Sequence, residues 1–156
     1  MRERWLEYRF DGAFSLGGNG GSAIPIRGIA DRVDLLDGNR LRVIDYKSGA
    51  APQPKRALQA PIYALCAQER LGERDGRQWS IDEASYVAFG GKRPLVRVIK
   101  PEAGDADAVL ASARTRVIEI VDAIGRGEFP ARPYELRICS YCAYPSVCRK
   151  DYVGDE

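Results

Sequence analysis

The sequence IPIRGIADRVDLLDGNRLRVIDYKSG, from Ile24 to Gly49, decides the fold of this 156-residue chain. Both halves contain several β-branched residues, which favour strands. Asp37-Gly38-Asn39 lies between them and tolerates the positive φ angles of a tight turn. We therefore predict an antiparallel hairpin of two strands, 24–36 and 40–47, whose second strand ends in polar residues.

The segments on both sides of this hairpin extend the sheet and supply helices, as the periodicity of their apolar residues indicates. The predicted elements are a strand over 5–16, a glycine-rich turn over 17–21, a helix over 55–71 that ends at Gly72, strands over 84–90 and 95–100, and a helix over 105–124. In the first strand Leu6, Tyr8 and Phe10 are expected to share one face. The residues of the last helix that are expected to point inward are Val109, Ala113, Val117, Ile120 and Ile124. This order predicts an α/β fold in which helices flank a mixed sheet.

The composition excludes several classes of protein. Apolar residues make up 45% of the chain and charged residues 29%, as in an ordinary soluble domain. There is no His, which excludes a Ser-His-Asp or Cys-His hydrolase and any His-bearing zinc site within this chain. The net charge of +2 is weak evidence for a nucleic-acid partner. Because no apolar run suits a membrane span or a signal peptide, we expect a cytoplasmic location and no membrane partner.

Asp45 and Lys47 form the centre of a candidate site. Side chains two residues apart on a strand share a face, so these two are expected to point the same way. Asp31 on the neighbouring antiparallel strand can place a second carboxylate beside them. Two carboxylates are the hard oxygen ligands that Mg²⁺ and Mn²⁺ prefer, and an adjacent lysine stabilises charge on a phosphate. These residues predict metal-assisted phosphodiester hydrolysis; the alternative is a buried structural ion pair between Asp45 and Lys47.

Three motifs in this order resemble those of a nuclease family. They are Gly28-Ile-Ala-Asp-Arg-Val-Asp34, Asp45-Tyr-Lys-Ser-Gly49 and Gln59-Ala-Pro-Ile-Tyr63. The sequence is similar in these motifs to the PD-(D/E)xK nucleases of the RecB, AddB and CRISPR-associated exonuclease type, and the resemblance covers most of the chain. It implies a restriction-endonuclease-like fold. It also implies a divalent-metal-dependent DNA exonuclease that acts on single strands or duplex ends in double-strand-break repair.

The resemblance further implies roles for individual residues. Asp31, Asp45 and the carbonyl of Tyr46 would bind Mg²⁺ or Mn²⁺, and Lys47 would be the catalytic lysine beside the two aspartates. Gln59 and Tyr63 would line the DNA channel next to the site. Their i, i+4 spacing puts both on one face of a helix, where an ordinary surface pair is the alternative.

Two other groups of charged residues are open to structural explanations. Asp34 lies three residues beyond Asp31, so a regular strand turns it to the opposite face, and we predict a salt bridge to Arg32 or another structural role. The cations that are candidates for phosphate contacts are Lys55, Arg56, Lys92 and Arg93. Each is individually a solvated charge more often than a contact.

The cysteines Cys139, Cys142 and Cys148 have the spacing of a metal or cluster site in a cytosolic protein. The resemblance to AddB-like enzymes implies a [4Fe–4S] cluster, held by three such cysteines and a fourth from far upstream. Cys66 falls on the apolar side of a helix and is expected to be a buried free thiol, so the fourth ligand is expected upstream of residue 1. Three unligated cysteines and a zinc-ribbon-like interaction module are the alternatives.

The chain departs from the family pattern at its N-terminal side. Family members supply one more metal ligand, a His or Glu, from a helix before the first strand. In this chain the candidate for that ligand is Glu7, which lies in a predicted strand. We expect a nuclease core over 1–130 that lacks its first helix and a cysteine-containing tail over 131–156 packed on it. The chain would then be a domain excised from a longer protein with a helicase region or subunit, or else a natural short form. The functional alternative is a catalytically inactive DNA-binding scaffold of a repair complex.

Overall fold

A computed structural model describes residues 1–16, 23–101, 103–131, 133 and 136–148, with residue 138 described by its backbone alone. The predicted turn over 17–21 and parts of the tail after residue 131 lie outside the described residues. The chain divides into two compact units, Met1–Ile118 and Glu119–Glu156. The elements are strands β1 (Glu3–Phe14), β2 (Ile24–Leu36), β3 (Arg40–Lys47), β4 (Ser80–Ala88) and β5 (Leu95–Ile99), helices α1 (Gln59–Asp75) and α2 (Ala106–Gly125), and 3₁₀ turns at Pro54–Arg56 and Leu136–Tyr141.

The described strands form one mixed sheet in the order β1-β2-β3-β4-β5. β1, β2 and β3 are antiparallel, and the predicted turn between β2 and β3 has Gly38 and Asn39 at positive φ. β3 and β4 run parallel, which requires a crossover, and α1 lies in that connection. β5 returns antiparallel to β4. The predicted α/β fold, a mixed sheet flanked by helices, is confirmed.

The hydrophobic core lies between the sheet and α1. Alternate residues of the strands face the helix, as a one-sided sheet requires. The fully buried apolar residues that meet there include Phe10, Val33, Leu41, Val43, Ala64 and Leu71. Burial of each large side chain stabilises the fold by about 1.5–3 kcal/mol relative to exposure. This packing fixes the middle of β2 and the end of β3, which carry the candidate site.

The predicted start of the first helix is wrong by four residues. α1 begins at Gln59 rather than at residue 55, and Leu58 has a non-helical φ of −120°. Pro61 gives the physical reason. Proline lacks an N–H and its ring clashes with the carbonyl four residues earlier, so it fits a helix only in the first turn.

The predicted end of this helix is also wrong. The left-handed residue that closes α1 is Gly76, with φ 67°, and its N–H donates to the carbonyl of Gly72. The last turn continues because Asp75 accepts a bond of 3.2 Å from Trp79 Nε1, which anchors the helix end to the following chain. That contact is tertiary and leaves no local signal at Gly72.

β1 is interrupted at Glu7. This residue has φ 49°, and the β1–β2 ladder omits the pair of Glu7 with Asp31. A positive φ in a non-glycine residue breaks the alternation of a strand. Leu6, which we expected on the same face as Tyr8 and Phe10, is therefore 65% exposed, whereas those two pack against the core.

The later elements differ from prediction at their ends. β4 starts at Ser80 rather than at residue 84, because it pairs with the whole length of β3. In α2, Ala113 is buried and Val109 and Val117 pack on the core as expected. The predicted burial of Ile120 and Ile124 is wrong, since they are 47% and 54% exposed. No described residue of α2 beyond Val117 joins the core. The apolar pattern of the helix therefore extends beyond the part that packs on the core.

Helices of the kind that cross a membrane, both long and strongly apolar, do not occur in the described part of the chain.

Candidate active site

β3 brings Asp45 and Lys47 to one face of the sheet. Asp45 is only 2% exposed, and Lys47 Nζ lies 2.7 Å from its Oδ2. Apart from this ammonium, Oδ2 has no polar partner among the described residues. Burial raises the pKa of Asp45; the Lys47 ammonium opposes the rise, and the charge of Asp31 adds to it. The carboxylate is therefore incompletely compensated.

Asp31 reaches the same place from β2. The paired residues of β2 and β3 end at Arg32 and Ile44. Just beyond them, the Tyr46 N–H donates to Asp31 Oδ2 at 2.7 Å. A side chain thus satisfies a backbone donor where the two strands part. This bond holds the Asp31 carboxylate next to the residue that separates Asp45 from Lys47.

Lys47 is held by α1 as well as by Asp45. Its Nζ donates to Gln59 Oε1 at 2.7 Å, and Gln59 is the first residue of the helix. Nζ also lies 5.6 Å from the centre of the Tyr86 ring. Lysine has several rotatable bonds, so two polar partners and an aromatic face restrict the direction of its charge.

Tyr86 is a site-supporting residue that the sequence did not reveal. It lies on β4 opposite Asp45, is 1% exposed, and accepts a hydrogen bond of 3.1 Å from the Ala60 N–H. This N–H belongs to the first turn of α1, where backbone donors have no partner within the helix. Tyr86 therefore anchors the start of α1 and so positions Gln59. One buried tyrosine in an apolar strand gives no motif from which this role can be inferred.

Tyr63 lies one turn farther along α1, over the first residue of the Gly28 motif. A Cβ on Gly28 would lie 2.5 Å from Tyr63 Oη and 2.9 Å from its ring carbons. The ring is tilted against Phe10, with centroids 5.5 Å apart. Gly28 is thus required so that the helix can approach β2 this closely. Tyr63 packs here, and the DNA-channel role of Gln59 and Tyr63 stays a prediction.

Asp34 has a structural role, and the predicted salt bridge to Arg32 is confirmed at 2.7 Å. Its side chain is fully buried, and Arg4 and Arg42 also contact it, at 2.9 and 2.6 Å. Burial opposes ionisation of Asp34, but hydrogen bonds from the three arginines outweigh it and hold its pKa well below the usual value. Asp34 alternates with Val33 of the core, so it lies on the opposite side of β2 from the candidate site.

The donor set fits a divalent cation of the magnesium type. Asp31 and Asp45 are hard oxygen donors, and buried Asp45 Oδ2 has no polar partner but the Lys47 ammonium among the described residues, so it can accept a cation as well. Mg²⁺ commonly takes one or two carboxylates and completes its shell with waters and substrate phosphates. Within the described residues, no group of three or more His, Cys, Asp or Glu side chains gathers, and Glu7 is exposed. The described part of the chain thus offers two carboxylates here rather than three.

The cysteines lie apart from this site in the chain. Cys66 is fully buried in α1, as expected, and burial raises the pKa of its thiol to about 12. Cys139 and Cys142 are joined through the backbone, where the Cys142 N–H donates to the Cys139 carbonyl at 3.3 Å. Cys148 is half-buried. All four are free thiols in the structure, so the cluster stays a prediction.

Comparison with known proteins identifies the family. The model of the PD-(D/E)XK nuclease superfamily matches residues 1–149. The chain belongs to this superfamily. Membership confirms the restriction-endonuclease-like fold and indicates a nuclease-type function, and nucleases of this superfamily generally use divalent metals. The RecB/AddB subtype stays a prediction.

The PD-(D/E)XK chain is also similar to a solved structure titled "Crystal structure of SSO0001". The TM-score is 0.41 and the sequence identity 17%, over 93% of this chain. This chain spans 60% of the length of that one. No curated protein matches the sequence.

Proposed function

We propose that this PD-(D/E)XK chain is a divalent-metal-dependent DNA exonuclease domain of the RecB/AddB type. It would process single strands or duplex ends in double-strand-break repair, together with a helicase region or subunit. The convergence of Asp31, Asp45 and Lys47 at the end of β3, where its pairing with β2 stops, supports this proposal. An ion pair with a purely structural role would not need a second carboxylate beside it.

Asp31 and Asp45, with the carbonyl of Tyr46, would hold Mg²⁺ or Mn²⁺. The bound cation supplies a water of lowered pKa and withdraws charge from the phosphate oxygens. Lys47 would stabilise the negative charge that grows on the phosphate during attack. Gln59 keeps the Lys47 ammonium directed, because its Oε1 accepts a bond from Nζ at 2.7 Å. The apolar packing around Asp45 strengthens these charge interactions.

Degradation of linear DNA in Mg²⁺ or Mn²⁺ tests the proposal. Asp45→Ala and Lys47→Ala are each expected to lower the cleavage rate by about 100-fold or more, since each removes charge from the transition state. Asp11→Ala and Lys100→Ala remove the same charges from exposed positions and are the matched controls. The controls are expected to cleave at the wild-type rate.

Closed circular DNA of the same sequence separates end-dependent from internal cleavage. An exonuclease leaves the circles intact, so equal digestion of circles and linear strands would contradict that part of the proposal. Undiminished cleavage by Asp45→Ala would place the chemistry elsewhere. Binding of DNA by the wild type without cleavage of either substrate in either metal would contradict an active nuclease and favour the inactive scaffold.

We further propose that the tail from residue 131 holds a [4Fe–4S] cluster through Cys139, Cys142 and Cys148. The fourth ligand would come from outside this sequence, because Cys66 is buried in α1. The spacing of the three cysteines and the resemblance to AddB-like enzymes support the proposal. Full-length protein purified without oxygen is expected to be brown and to lose its visible absorbance on Cys142→Ser; a colourless protein that contains zinc would contradict it.

A further inference from the structure

A groove opens where the strand that carries Asp45 and Lys47 ends. It lies between the loop 50–55 and the turn 90–93, is lined also by Val96, and has a volume of about 620 Å³. We call it the loop groove. The Phe89 N–H donates to the Lys47 carbonyl at 2.9 Å, and the Gly90 N–H donates to the Gly49 carbonyl at 3.2 Å. Backbone hydrogen bonds therefore connect the turn that forms one wall of the loop groove to the end of β3, where Lys47 lies.

Two glycines allow its walls to meet. A Cβ on Gly90 would lie 3.2 Å from backbone atoms of Gly49 and Ser48. Gly91 has φ 86°, a conformation that other residues rarely adopt. The close contact of the two loops shows that the loop groove is part of the packed structure, not a gap between loose segments.

Three cations line the loop groove. Lys55, Lys92 and Arg93 are all exposed, and none makes an ion pair with a residue that the structure describes. No acidic residue stands among the described residues that line the groove. Many arginines elsewhere are neutralised internally, such as Arg32 and Arg42 on Asp34. Charges left without an internal partner around one groove favour a polyanion.

Between the cations the lining is apolar. It includes Ala51, Pro52, Pro54 and Val96. Proteins bind single-stranded nucleic acid by combining cations that follow the backbone with apolar or aromatic surface against bases. A duplex keeps the faces of its bases stacked inside and exposes their edges in the grooves together with the sugar–phosphate backbone. The combination of charge and apolar lining therefore suits a single strand.

We propose that the loop groove is the binding path for one strand of DNA next to the active site. Lys55, Lys92 and Arg93 hold its phosphates, and the apolar lining contacts sugars and bases. This inference rests on the proposed nuclease function, since the DNA strand in the loop groove is the one that reaches Lys47. It also gives the site a preference for single-stranded over duplex substrate.

Fluorescence anisotropy with a labelled oligo(dT) strand in EDTA tests the groove, because binding is then measured without cleavage. Lys55→Gln/Lys92→Gln/Arg93→Gln is expected to reduce the slope of log K against log salt by about 2, since single strands lose about 0.7 per phosphate contact. At moderate salt its affinity is expected to fall by about tenfold or more. Arg9→Gln/Arg77→Gln/Lys100→Gln removes three exposed cations outside the groove and is expected to keep most of the wild-type slope.

Two further comparisons make the test specific. The charge-conserving variant Lys55→Arg/Lys92→Arg/Arg93→Lys is expected to bind as the wild type does, and all variants should share its melting temperature. The substitution of the three groove cations by Gln is expected to weaken binding of a blunt duplex of equal length less than binding of the single strand. Four results would each overturn the proposal. They are unchanged binding by the Gln variant of the groove, an equal loss of affinity in the control triple variant, an equal loss of affinity for the duplex, and no binding of DNA by the wild type. None of these outcomes depends on cleavage, so failure of the groove and failure of the nuclease function are distinguishable.

Discussion

At the scale of single residues, the environment of Asp45 argues against a purely structural ion pair with Lys47. A buried ion pair stabilises a fold only when its remaining oxygens are satisfied by further hydrogen bonds. Here the Lys47 ammonium is the one polar partner of Asp45 Oδ2 within the described chain, and burial, together with the charge of Asp31, raises the pKa of Asp45. The arrangement therefore costs folding free energy, which is typical of residues placed for chemistry.

Gln59 gives a prediction at this scale. Gln59→Ala removes the acceptor that directs Lys47, and we expect the kcat of DNA cleavage to fall by about 10-fold or more, as for a lost hydrogen bond to a charged group. The KM is expected to change much less, because Lys47 keeps its charge and its ion pair with Asp45. Steady-state kinetics on a linear substrate measure both constants. Gln78→Ala, an exposed glutamine outside the site, is the control, and a loss confined to KM would show that Gln59 binds DNA instead.

At the scale of elements, the site depends on how closely α1 approaches the sheet. Gly28 on β2 admits the Tyr63 ring, and Tyr86 on β4 accepts a hydrogen bond from the first turn of the helix. These two contacts lie on strands either side of β3. Together they fix the start of α1 relative to Lys47, which places Gln59 within hydrogen-bond reach.

Gly28→Ala tests this close approach. The added methyl would overlap the Tyr63 ring, so we expect the free energy of unfolding to fall by about 1–3 kcal/mol, as in other overpacked sites. In a Tyr63→Ala background the same substitution is expected to cost much less, because the ring is gone. Urea denaturation of the four proteins measures this double-mutant cycle. Gly49→Ala, where a Cβ meets nothing within 4 Å, is the control; an equal cost in both backgrounds would contradict the contact.

At the scale of the whole molecule, the two sides of the sheet have different roles. The side that faces α1 carries Asp31, Asp45 and Lys47 together with the core. On the other side, Asp34 joins β1, β2 and β3 through its three arginines. Removing its charge would leave those arginines without their buried partner, so this network is a stabilising device and not part of the chemistry.

Asp34→Asn is expected to lower the free energy of unfolding at neutral pH by about 2–3 kcal/mol, which is the lower range for a broken buried pair because the arginines are partly exposed. The pKa of Asp34 is lowered in the folded state. Its stabilisation is therefore present above the unfolded-state pKa and is lost as the pH falls toward the folded-state value. Urea denaturation at neutral and acidic pH measures both effects. The variant should lose less stability in acid than the wild type, and an identical acid dependence would contradict the role of Asp34.

The amino-acid sequence by itself determined the hairpin, the shared direction of Asp45 and Lys47, the buried Cys66 and the Arg32–Asp34 pair. Each follows from short-range rules, because strand alternation, helix periodicity and turn chemistry act over a few residues. Tertiary structure alone decided the bond from Lys47 to Gln59, the anchoring by Tyr86 and the grouping of Lys55 with Lys92 and Arg93. These partners lie 12 to about 40 residues apart, so their proximity arises only when α1 packs on the sheet and the loops beside it close. The exposure of Leu6 and the late start of α1 have local causes instead, since one irregular residue in a strand and one proline in a helix outweigh the periodic pattern around them.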